Sequence, residues 1–365
     1  MAARRREAMR VVVAMSGGVD SSVVAGLLAE QGHEVIGVHM KLHDAPTAAG
    51  PADAKRCCGL DDALDARAVA DKVGARFFVM DLREAFQRAV IDDYTENWVR
   101  GATPNPCVQC NGVLKFRVLL QRAKALGADA LATGHYARIT AEGGLLEAVD
   151  RDKDQSYFLF PMTKAALAAT IFPLGGLTKA EVRAHARRMG LLTAEKPESQ
   201  ETCFIPDDDH AAFVQRAHPD LDGAGEICHE DGRVLGRHDG YWRFTVGQRR
   251  GLGVATGAPV YVLSVDPDTH RVVVGPPERL SHHALRARGF AWLRKPEPGE
   301  VVEARVRHRG ARLPVEVVEE EGAPEGSLQL RFLAPARAAA RGQAVVLYAG
   351  PQVLGGGWIR DVLPA

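Results

Sequence analysis

The segment from residue 14 to residue 22, with the sequence AMSGGVDSS, combines two glycines, three serines and an aspartate. It follows the apolar run 11–13 and precedes a helix-like run at 23–31. A strand that turns through glycines into a helix exposes backbone N–H groups and the positive end of the helix dipole, which together bind phosphate. The glycines let a ligand approach the backbone closely, and serine hydroxyls donate hydrogen bonds to phosphate oxygens. The segment therefore predicts a phosphate site, and ATP is the expected nucleotide.

Asp20 in this segment bears on the counter-ion of the nucleotide. Its carboxylate would repel a triphosphate unless a cation lay between them, which predicts Mg²⁺ at the site. The segment has no Walker A lysine and does not match the dinucleotide pattern G-x-G-x-x-G. The alternative interpretation is an ordinary glycine-rich turn that is capped by serine or aspartate.

Six cysteines, at positions 57, 58, 107, 110, 203 and 228, are the second group with reactive side chains. In a long chain without a secretion signal, such cysteines are expected to be reduced. Cys107 and Cys110 form a C-x-x-C pattern in a predicted proline-pinned loop, before a helix predicted at 114–126. The pattern fits half of a zinc site completed by Cys57 and Cys58, or a thiol whose pKa is lowered by a helix N-terminus.

The elements that must position these residues alternate between strand and helix. Strands are predicted at 11–14, 35–40, 77–81 and 130–133, and helices at 60–73, 114–126 and 179–189. Strands separated by amphipathic helices indicate a parallel sheet, here in a Rossmann-like α/β domain. Ligands of such sheets bind at the carboxyl ends of the strands. This rule places Met40, a candidate adenine contact or core residue, and Gly134 beside the glycine segment.

Beyond about residue 220 the sequence changes to short β-rich runs separated by turns, which is typical of small barrels or sandwiches. We predict a catalytic domain at 1–210, a small central β-rich domain at 211–280 and a C-terminal β-barrel-like domain at 281–365. The formal net charge of the 365 residues is zero, so nucleic-acid binding would have to rest on local basic clusters. No run approaches the roughly 20 apolar residues of a membrane span, and no signal peptide is recognised. These features predict a cytoplasmic protein.

Several motifs together resemble a known family. The glycine segment resembles the PP-loop of the N-type ATP pyrophosphatases, which cleave ATP between the α and β phosphates and adenylate an oxygen of their substrate. The match continues over essentially the whole chain with NPCVQCN at 105–111, TGHYA at 133–137, DKDQSY at 152–157, SQETCF at 199–204 and FTVGQRRGL at 244–252. This set resembles the tRNA-specific 2-thiouridylases of the MnmA family. The resemblance implies an adenine nucleotide alpha hydrolase-like PP-loop domain, followed by two small β-rich domains.

Members of that family install sulfur at C2 of the wobble uridine of certain tRNAs, and the resemblance implies the same activity here. It makes Cys110 the nucleophile and Cys203 the persulfide carrier, with a transient disulfide between them, although composition alone favours a buried structural role for Cys203. The implied co-substrate is ATP with Mg²⁺, and the implied acceptors are the Lys, Glu and Gln tRNAs. A cysteine desulfurase or a sulfur-relay protein would deliver the persulfide.

The resemblance also assigns contacts residue by residue. ATP would be contacted by Ala14, Met15, Ser16, Gly17, Gly18, Val19, Asp20, Ser21, Met40 and Gly134. The tRNA would be contacted by Asn105, Pro106, Cys107, Lys153, Asp154, Gln155, Arg307 and His308, with 105–107 at the target base. Some relatives have aspartate at the position of Cys107, and the family usually has Arg-Tyr at 307–308.

The implied chemistry suits the residues. The C2 carbonyl of uridine is a poor electrophile, and adenylation converts its oxygen into a good leaving group. The terminal persulfide sulfur on Cys203 then attacks C2 and Cys110 attacks the persulfide; in the alternative order, Cys110 first releases hydrosulfide. A disulfide needs Cα atoms within about 7 Å, whereas ATP and uridine must fit between the same groups beforehand. We therefore expect the polar segment 197–209 to move during the cycle.

Two arginine clusters are candidate tRNA surfaces, with a solvated protein face as the alternative. They are Arg183, Arg187 and Arg188 on a predicted helix, and Arg305, Arg307, Arg309 and Arg312, of which the odd-numbered residues would share one face of a strand. Rival functions are another PP-loop enzyme, such as a 4-thiouridine, lysidine or amidating synthetase, and a zinc- or redox-responsive RNA-binding protein. Two separated cysteines and the lack of a glutamine amidotransferase domain favour sulfur transfer.

Overall fold

The computed structural model describes residues 8–43, 60–198, 202–205, 209–318, 322, 324–337 and 339–364. Within these residues the α-helices are α1 Val19–Glu30, α2 Leu60–Lys72, α3 Arg83–Phe86, α4 Asp92–Val99, α5 Pro106–Gln109, α6 Leu120–Ala125, α7 Lys164–Ala168, α8 Lys179–Arg188 and α9 His210–Ala217. Two segments are π-helical, Gln87–Ile91 and Cys110–Leu119. Three are 3₁₀-helical, Ser156–Leu159, Tyr241–Arg243 and Pro277–Leu280.

The strands of the first half are β1 Arg10–Ala14, β2 Glu34–Lys41, β3 Arg76–Asp81, β4 Ala130–Ala132, β5 Ala137–Ile139, β6 Leu145–Glu147 and β7 Thr170–Ile171. Those of the second half are β8 Gly225–His229, β9 Val234–His238, β10 Tyr261–Asp266, β11 Arg271–Gly275, β12 Ser281–Trp292, β13 Glu303–Arg305, β14 Leu313–Val318, β15 Leu328–Arg337, β16 Ala344–Ala349 and β17 Gln352–Pro364. The chain divides into two compact units, residues 1–90 with 107–208 and residues 91–106 with 209–365.

The first unit is organised around a parallel sheet in the order β3-β2-β1-β4-β7. The apolar strand β1 lies in the middle, and Val11, Val12 and Val13 are fully buried, as expected for a strand covered on both faces. From β1 the chain proceeds to β2 and β3 on one side and then returns to β4 on the other. The strand order therefore reverses between β1 and β4, which is where open α/β sheets bind their ligands.

These observations confirm the predicted Rossmann-like α/β class and its four strands. Two helix starts were wrong. Helix α1 begins at Val19 instead of residue 23, so Asp20 lies in its first turn. The helical segment predicted from residue 114 begins at Pro106, because proline suits the first position of a helix, where its missing N–H group would have no partner.

The second unit is β-rich, as the sequence predicted. It contains a four-stranded sheet in the order β10-β11-β8-β9, in which the β8–β11 pair is parallel. Strands β12, β15, β14, β13, β16 and β17 form a ring that the β12–β17 pairing closes into a barrel. Side chains such as Leu285, Leu330 and Leu347 are fully buried in the core of this barrel.

Residues 91–106 group with the second unit because α4 packs on α9. Tyr94 meets Phe213 edge-on, and the ring of Trp98 stacks on His210 with 4.6 Å between centroids. This grouping splits the segment away from the domain predicted at 1–210, whose bounds stay a prediction. Among the described residues, no helix is both long enough and apolar enough to cross a bilayer.

Candidate active site

The loop between β1 and α1 is shaped by a close backbone contact. Gly17 has a φ of +77°, and a Cβ atom there would lie 2.3 Å from the backbone oxygen of Asp62 in α2. Gly18, which precedes α1, is extended and makes no side-chain cap hydrogen bond. The first N–H groups of α1 have no intrahelical partner and lie at the positive end of its dipole. The loop therefore fits an anionic ligand such as a phosphate group.

Serine hydroxyls hold this loop together. Ser21 Oγ and Ser22 Oγ donate to the carbonyl of Gly18 at 3.1 and 2.9 Å, and the backbone N–H of Ser16 donates to Ser21 Oγ at 3.2 Å. Ser21 and Ser22 are buried, whereas Ser16 is exposed. The hydroxyl of Ser16 is thus placed to meet a ligand, while those of Ser21 and Ser22 stabilise the turn.

The loop after β4 lies against the first turn of α1, as the sheet order predicted. A Cβ atom at Gly134 would come within 3.1 Å of both Asp20 Cβ and the backbone nitrogen of Ser21, so only glycine fits without displacement. Gln155 fixes this loop, because its N–H donates to the carbonyl of Tyr136 at 2.9 Å and its Oε1 accepts from the N–H of Tyr136 at 3.0 Å. Met40 is half-buried near the end of β2, and its predicted adenine contact stays a prediction.

A chain of opposite charges runs from this loop, and the sequence analysis missed it. Lys179 Nζ lies 2.8 and 2.9 Å from the two carboxylate oxygens of Asp20 and 2.7 Å from Glu198 Oε1. Lys153 Nζ lies 2.7 Å from Glu198 Oε2, and the hydroxyl of Tyr136 donates to Asp20 at 2.9 Å. A sequence signal existed, since Thr178 and Glu181 form a capping box that fixes Lys179 as the first residue of α8.

The pKa values follow from this arrangement. Burial raises the pKa of Glu198, but hydrogen bonds from Lys153 and Lys179 outweigh it and lower the value to about 2. Burial and the adjacent Asp20 carboxylate raise the pKa of Tyr136 far above its usual range, so its hydroxyl remains a donor. Glu198 is therefore ionised throughout the physiological range, and the network links the loop between β1 and α1 to the predicted tRNA contact Lys153.

The carboxylate of Asp20, the candidate Mg²⁺ ligand, is paired with a lysine in this structure. Lys179 already supplies the positive charge that the sequence argument assigned to Mg²⁺. Among the described residues, no group of three or more His, Cys, Asp or Glu side chains is arranged to hold a metal ion. Both Mg²⁺ and the role of Asp20 as its ligand in the ATP complex stay predictions.

The C-x-x-C pattern lies in a helix and not in a loop, which corrects the sequence interpretation. Cys107 is exposed in the first turn of α5, and Cys110 is the half-buried first residue of the π-helical segment. Burial raises the pKa of the Cys110 thiol, and the ammonium group of Lys115 acts to lower it. Within the described residues, no disulfide joins the cysteines.

Cys203 lies in a short turn that the following residues anchor. The N–H of Ile205 donates to the carbonyl of Thr202 at 3.0 Å, and Phe204 packs edge-on against Phe86 of α3 with 5.6 Å between ring centroids. Helix α3 also packs against the Cys110 segment. Both cysteines are therefore positioned by elements that contact the same short helix. Positions 199–201 and 206–208 of the segment expected to move lie outside the described residues.

The zinc interpretation rested on Cys57 and Cys58, which also lie outside the described residues. The zinc interpretation therefore stays a prediction. Cys228, the remaining cysteine, is buried in β8 of the other unit.

The predicted tRNA contacts differ in exposure. Asn105 is buried, and Pro106 is partly exposed at the start of α5. Asp154 is buried, and its carboxylate accepts hydrogen bonds from the N–H groups of Ala148 and Ser156 and from the Ser156 hydroxyl. In this structure Asp154 thus shapes its loop, and its contact with tRNA stays a prediction.

The arginine clusters are smaller than the sequence indicated. Strand β13 ends at Arg305, so the arginines that follow do not alternate along one face of a strand. Arg307 and Arg309 are exposed in the turn after β13, next to the partly exposed His308. The guanidinium groups of Arg305 and Arg312 lie over the ring of Tyr348 at 5.2 and 5.3 Å and belong to the barrel.

On helix α8, each of the three arginines has a partner within the first unit. Arg187 pairs with Glu195 and Arg188 with Glu30, both at 2.7 Å, and Arg183 donates to the carbonyl of Ala194. These bonds favour the solvated-face interpretation of this helix.

The loop between β1 and α1 lies where the strand order of the parallel sheet reverses, and the loop that contains Gly134 packs against it. These features define a PP-loop nucleotide-binding domain of the HUP class. Family models match the chain as a tRNA methyl transferase HUP domain at residues 9–207, a tRNA methyl transferase PRC-barrel domain at 211–276 and an aminomethyltransferase beta-barrel domain at 282–359.

The relatives narrow the class to one family. The tRNA-specific 2-thiouridylase MnmA of Geobacter metallireducens is 50% identical over 358 residues, covering 96% of each chain. The MnmA of Rickettsia rickettsii is 45% identical over 353 residues, again covering 96% of each chain. The chain belongs to the tRNA-specific 2-thiouridylase MnmA family, which confirms the resemblance inferred from its motifs.

The solved structures that match are more distant in sequence. A 4-thiouridine synthetase–RNA complex with bound ATP matches 58% of this chain and 51% of its own with 18% identity and a TM-score of 0.33. The NMN synthetase of Francisella tularensis matches 58% of this chain and 77% of its own with 16% identity and a TM-score of 0.34.

Proposed function

We propose that this protein uses ATP to replace the C2 oxygen of the wobble uridine in tRNA by sulfur. The observation that supports this most directly is the placement of Cys110 and Cys203. The Cys110 segment packs on α3, and Phe204, next to Cys203, packs on Phe86 of the same helix. Both cysteines belong to the unit that contains the nucleotide loop.

The nucleotide loop supports the activation step. The uncapped first turn of α1 would receive the phosphates, and the close packing at Gly17 and Gly134 keeps the loop in the required shape. Lys179 holds Asp20 in the charge network and can turn its ammonium group toward an incoming phosphate. ATP, with Mg²⁺ on its phosphates, would supply the adenylate that makes the uridine O2 a leaving group. The by-products are AMP and pyrophosphate.

Two cysteines account for every bond that forms and breaks in the sulfur transfer. The terminal sulfur of a Cys203 persulfide attacks C2, the C2–O2 bond breaks, and AMP leaves with the oxygen. The Cys110 thiolate then attacks Sγ of Cys203, the sulfur–sulfur bond of the adduct breaks, and its electron pair forms the thiocarbonyl of 2-thiouridine. A Cys110–Cys203 disulfide remains, which an external thiol must reduce. The order in which Cys110 first releases hydrosulfide leaves the same disulfide.

The remaining roles complete the proposal. Lys153, Gln155, Asp154 and the exposed Arg307 with His308 would contact tRNA, and positions 105–107 would meet the target base. The expected acceptors are the Lys, Glu and Gln tRNAs, and a cysteine desulfurase or sulfur-relay protein would load Cys203. We further propose a cytoplasmic location, where tRNA and reducing thiols are both available.

The test is a reconstituted reaction with labelled ATP, undermodified tRNA and a persulfide donor. Mass spectrometry of tRNA nucleosides should show 2-thiouridine, and chromatography should show AMP and pyrophosphate in equal amounts. Cys203→Ser should abolish thiolation while AMP formation continues, because adenylation does not use sulfur. Cys228→Ala, in the other unit, is the matched control and should retain thiolation.

Three results would contradict the proposal. Stoichiometric ADP would exclude attack at the α phosphate. A Cys107–Cys110 disulfide after a single turnover, with Cys203 still a thiol, would mean that the cysteine roles are wrong. Stoichiometric zinc without ATP turnover would favour the non-catalytic RNA-binding alternative.

A further inference from the structure

The π-helical segment brings Lys115 to the same side as Cys110. In an α-helix, with 3.6 residues per turn, residues five apart point about 140° away from each other. In a π-helix the hydrogen bonds join residues five apart, so these residues lie one turn above the other. Cys110 and Lys115 are five residues apart within the π-helical segment, and the Lys115 ammonium group acts electrostatically on the Cys110 thiol. The unusual helix type therefore pairs a cation with the thiol.

Lys115 is held on its other side by a buried histidine. Its Nζ lies 3.4 Å from His135 Nε2, and His135 Nδ1 lies 2.7 Å from Thr133 Oγ1. His135 is surrounded by the rings of Phe116 and Phe172, and burial together with the Lys115 charge lowers its pKa well below the usual value. The imidazole is therefore neutral. An ammonium group can only donate, so Nε2 accepts from Lys115 and the proton on Nδ1 is directed to Thr133 Oγ1.

The other charges near this segment are already engaged. On the packed helix α3, Arg83 pairs with Asp81 at 2.6 Å and Glu84 pairs with Arg88 at 2.9 Å. The packed 3₁₀ segment contributes the buried Tyr157. Among the described residues, Lys115 is the charged group that acts on the Cys110 thiol.

We propose, building on the sulfur-transfer function above, that Lys115 is a positioning residue whose ammonium group, fixed by neutral His135, stabilises the Cys110 thiolate. Both orders of sulfur transfer require this thiolate to attack Sγ of the Cys203 persulfide, since the thiol form is a poor nucleophile. Deprotonation transfers the thiol proton to solvent, and the negative charge that forms is balanced by Lys115. A neutral histidine suits this role because it directs the cation without competing for the charge.

The test measures the ionisation of Cys110 directly, without ATP, tRNA or persulfide. The full-length protein is alkylated with iodoacetamide from about pH 6 to about pH 12, because burial raises the pKa of Cys110, and the rate at Cys110 is followed by peptide mass spectrometry. Lys115→Met should move the midpoint of the pH profile upward by about one unit, because an adjacent opposite charge shifts a pKa by about one to three units. At pH 7.5 this corresponds to an alkylation rate about tenfold lower.

Three further variants separate charge from structure. Lys115→Arg keeps the charge and should move the midpoint by clearly less than the shift of about one unit expected for Lys115→Met. His135→Leu removes the acceptor for Lys115 and should move the midpoint part of the way. Lys124→Met makes the same change on the exposed surface of α6 and should leave the midpoint in place.

Equal midpoints for wild type and Lys115→Met would overturn this proposal whatever the outcome of the thiolation assay. Conversely, a displaced midpoint in a protein that forms no 2-thiouridine would leave the Lys115–Cys110 pairing intact and contradict the proposed function alone. If Lys115→Met does not fold, a midpoint in His135→Leu equal to that of wild type would likewise overturn the proposal.

Discussion

Replacing Gly17 by alanine should damage the nucleotide loop far more than a glycine substitution elsewhere with the same backbone angle. Gly17 has a φ of +77°, and its added Cβ atom would lie 2.3 Å from the carbonyl oxygen of Asp62. Gly32, in the turn after α1, has a φ of +83° and no neighbour within 4 Å of the added atom. The two positions therefore share the conformational cost and differ in the steric contact.

The magnitudes follow from these two terms. A left-handed alanine costs about 1–2 kcal/mol at either site. At Gly17 the contact must also open from 2.3 Å to at least 3.0 Å, against backbone and not a flexible side chain. Overpacking of this kind adds about 1–3 kcal/mol. We expect Gly17→Ala to lower the free energy of unfolding by about 2–5 kcal/mol and Gly32→Ala by about 1–2 kcal/mol.

Urea denaturation of both variants measures these losses, and calorimetric titration measures ATP binding. ATP affinity should fall at least tenfold in Gly17→Ala, because the loop must move away from α2, and stay unchanged in Gly32→Ala. Equal destabilisation by the two variants, with ATP affinity retained in both, would refute the argument that close packing on Asp62 requires glycine in this loop.

Two further predictions concern charge. The pKa of Glu198 is about 2 in the folded state against a usual 4.5, so its ion pairs stabilise the protein fully above pH 4.5, and this contribution disappears as the pH falls toward 2. After allowance for solvent screening, urea denaturation should show Glu198→Gln to be about 1 kcal/mol less stable than wild type at pH 7. A difference in stability between the two proteins that did not narrow on acidification would contradict this assignment. Replacing Arg307 and Arg309 together by alanine should weaken tRNA binding and reduce the salt dependence of log K by up to about two, in filter-binding measurements from low to high salt. Arg331→Ala is the control, because Arg331 is an exposed arginine paired with Glu316 on the barrel. An unchanged salt slope in the double variant would mean that the turn is only a solvated surface.

The sequence alone determined the class of fold and the candidate chemistry. The apolar run of β1 followed by two glycines predicts a buried strand that turns into a helix, and hydrophobic periodicity predicts the βαβ order, because both are local properties of the chain. The same order places Gly134 beside Asp20, since the carboxyl ends of parallel strands meet at one edge of the sheet. The motif set was specific enough to identify the family.

Only the tertiary structure decided which charges meet. Asp20 and Lys179 are 159 positions apart, and no local pattern shows that they form an ion pair. The hydrophobic pattern likewise does not distinguish the π-helical hydrogen bonding of the segment that begins at Cys110 from that of an α-helix, and this hydrogen bonding brings Lys115 to the side of Cys110. Arg305 and Arg312 looked like surface charges because a sequence does not show that the ring of Tyr348 lies beneath them. Electrostatic and packing partners are set by distance in space, and distance in space is fixed only when the whole chain has folded.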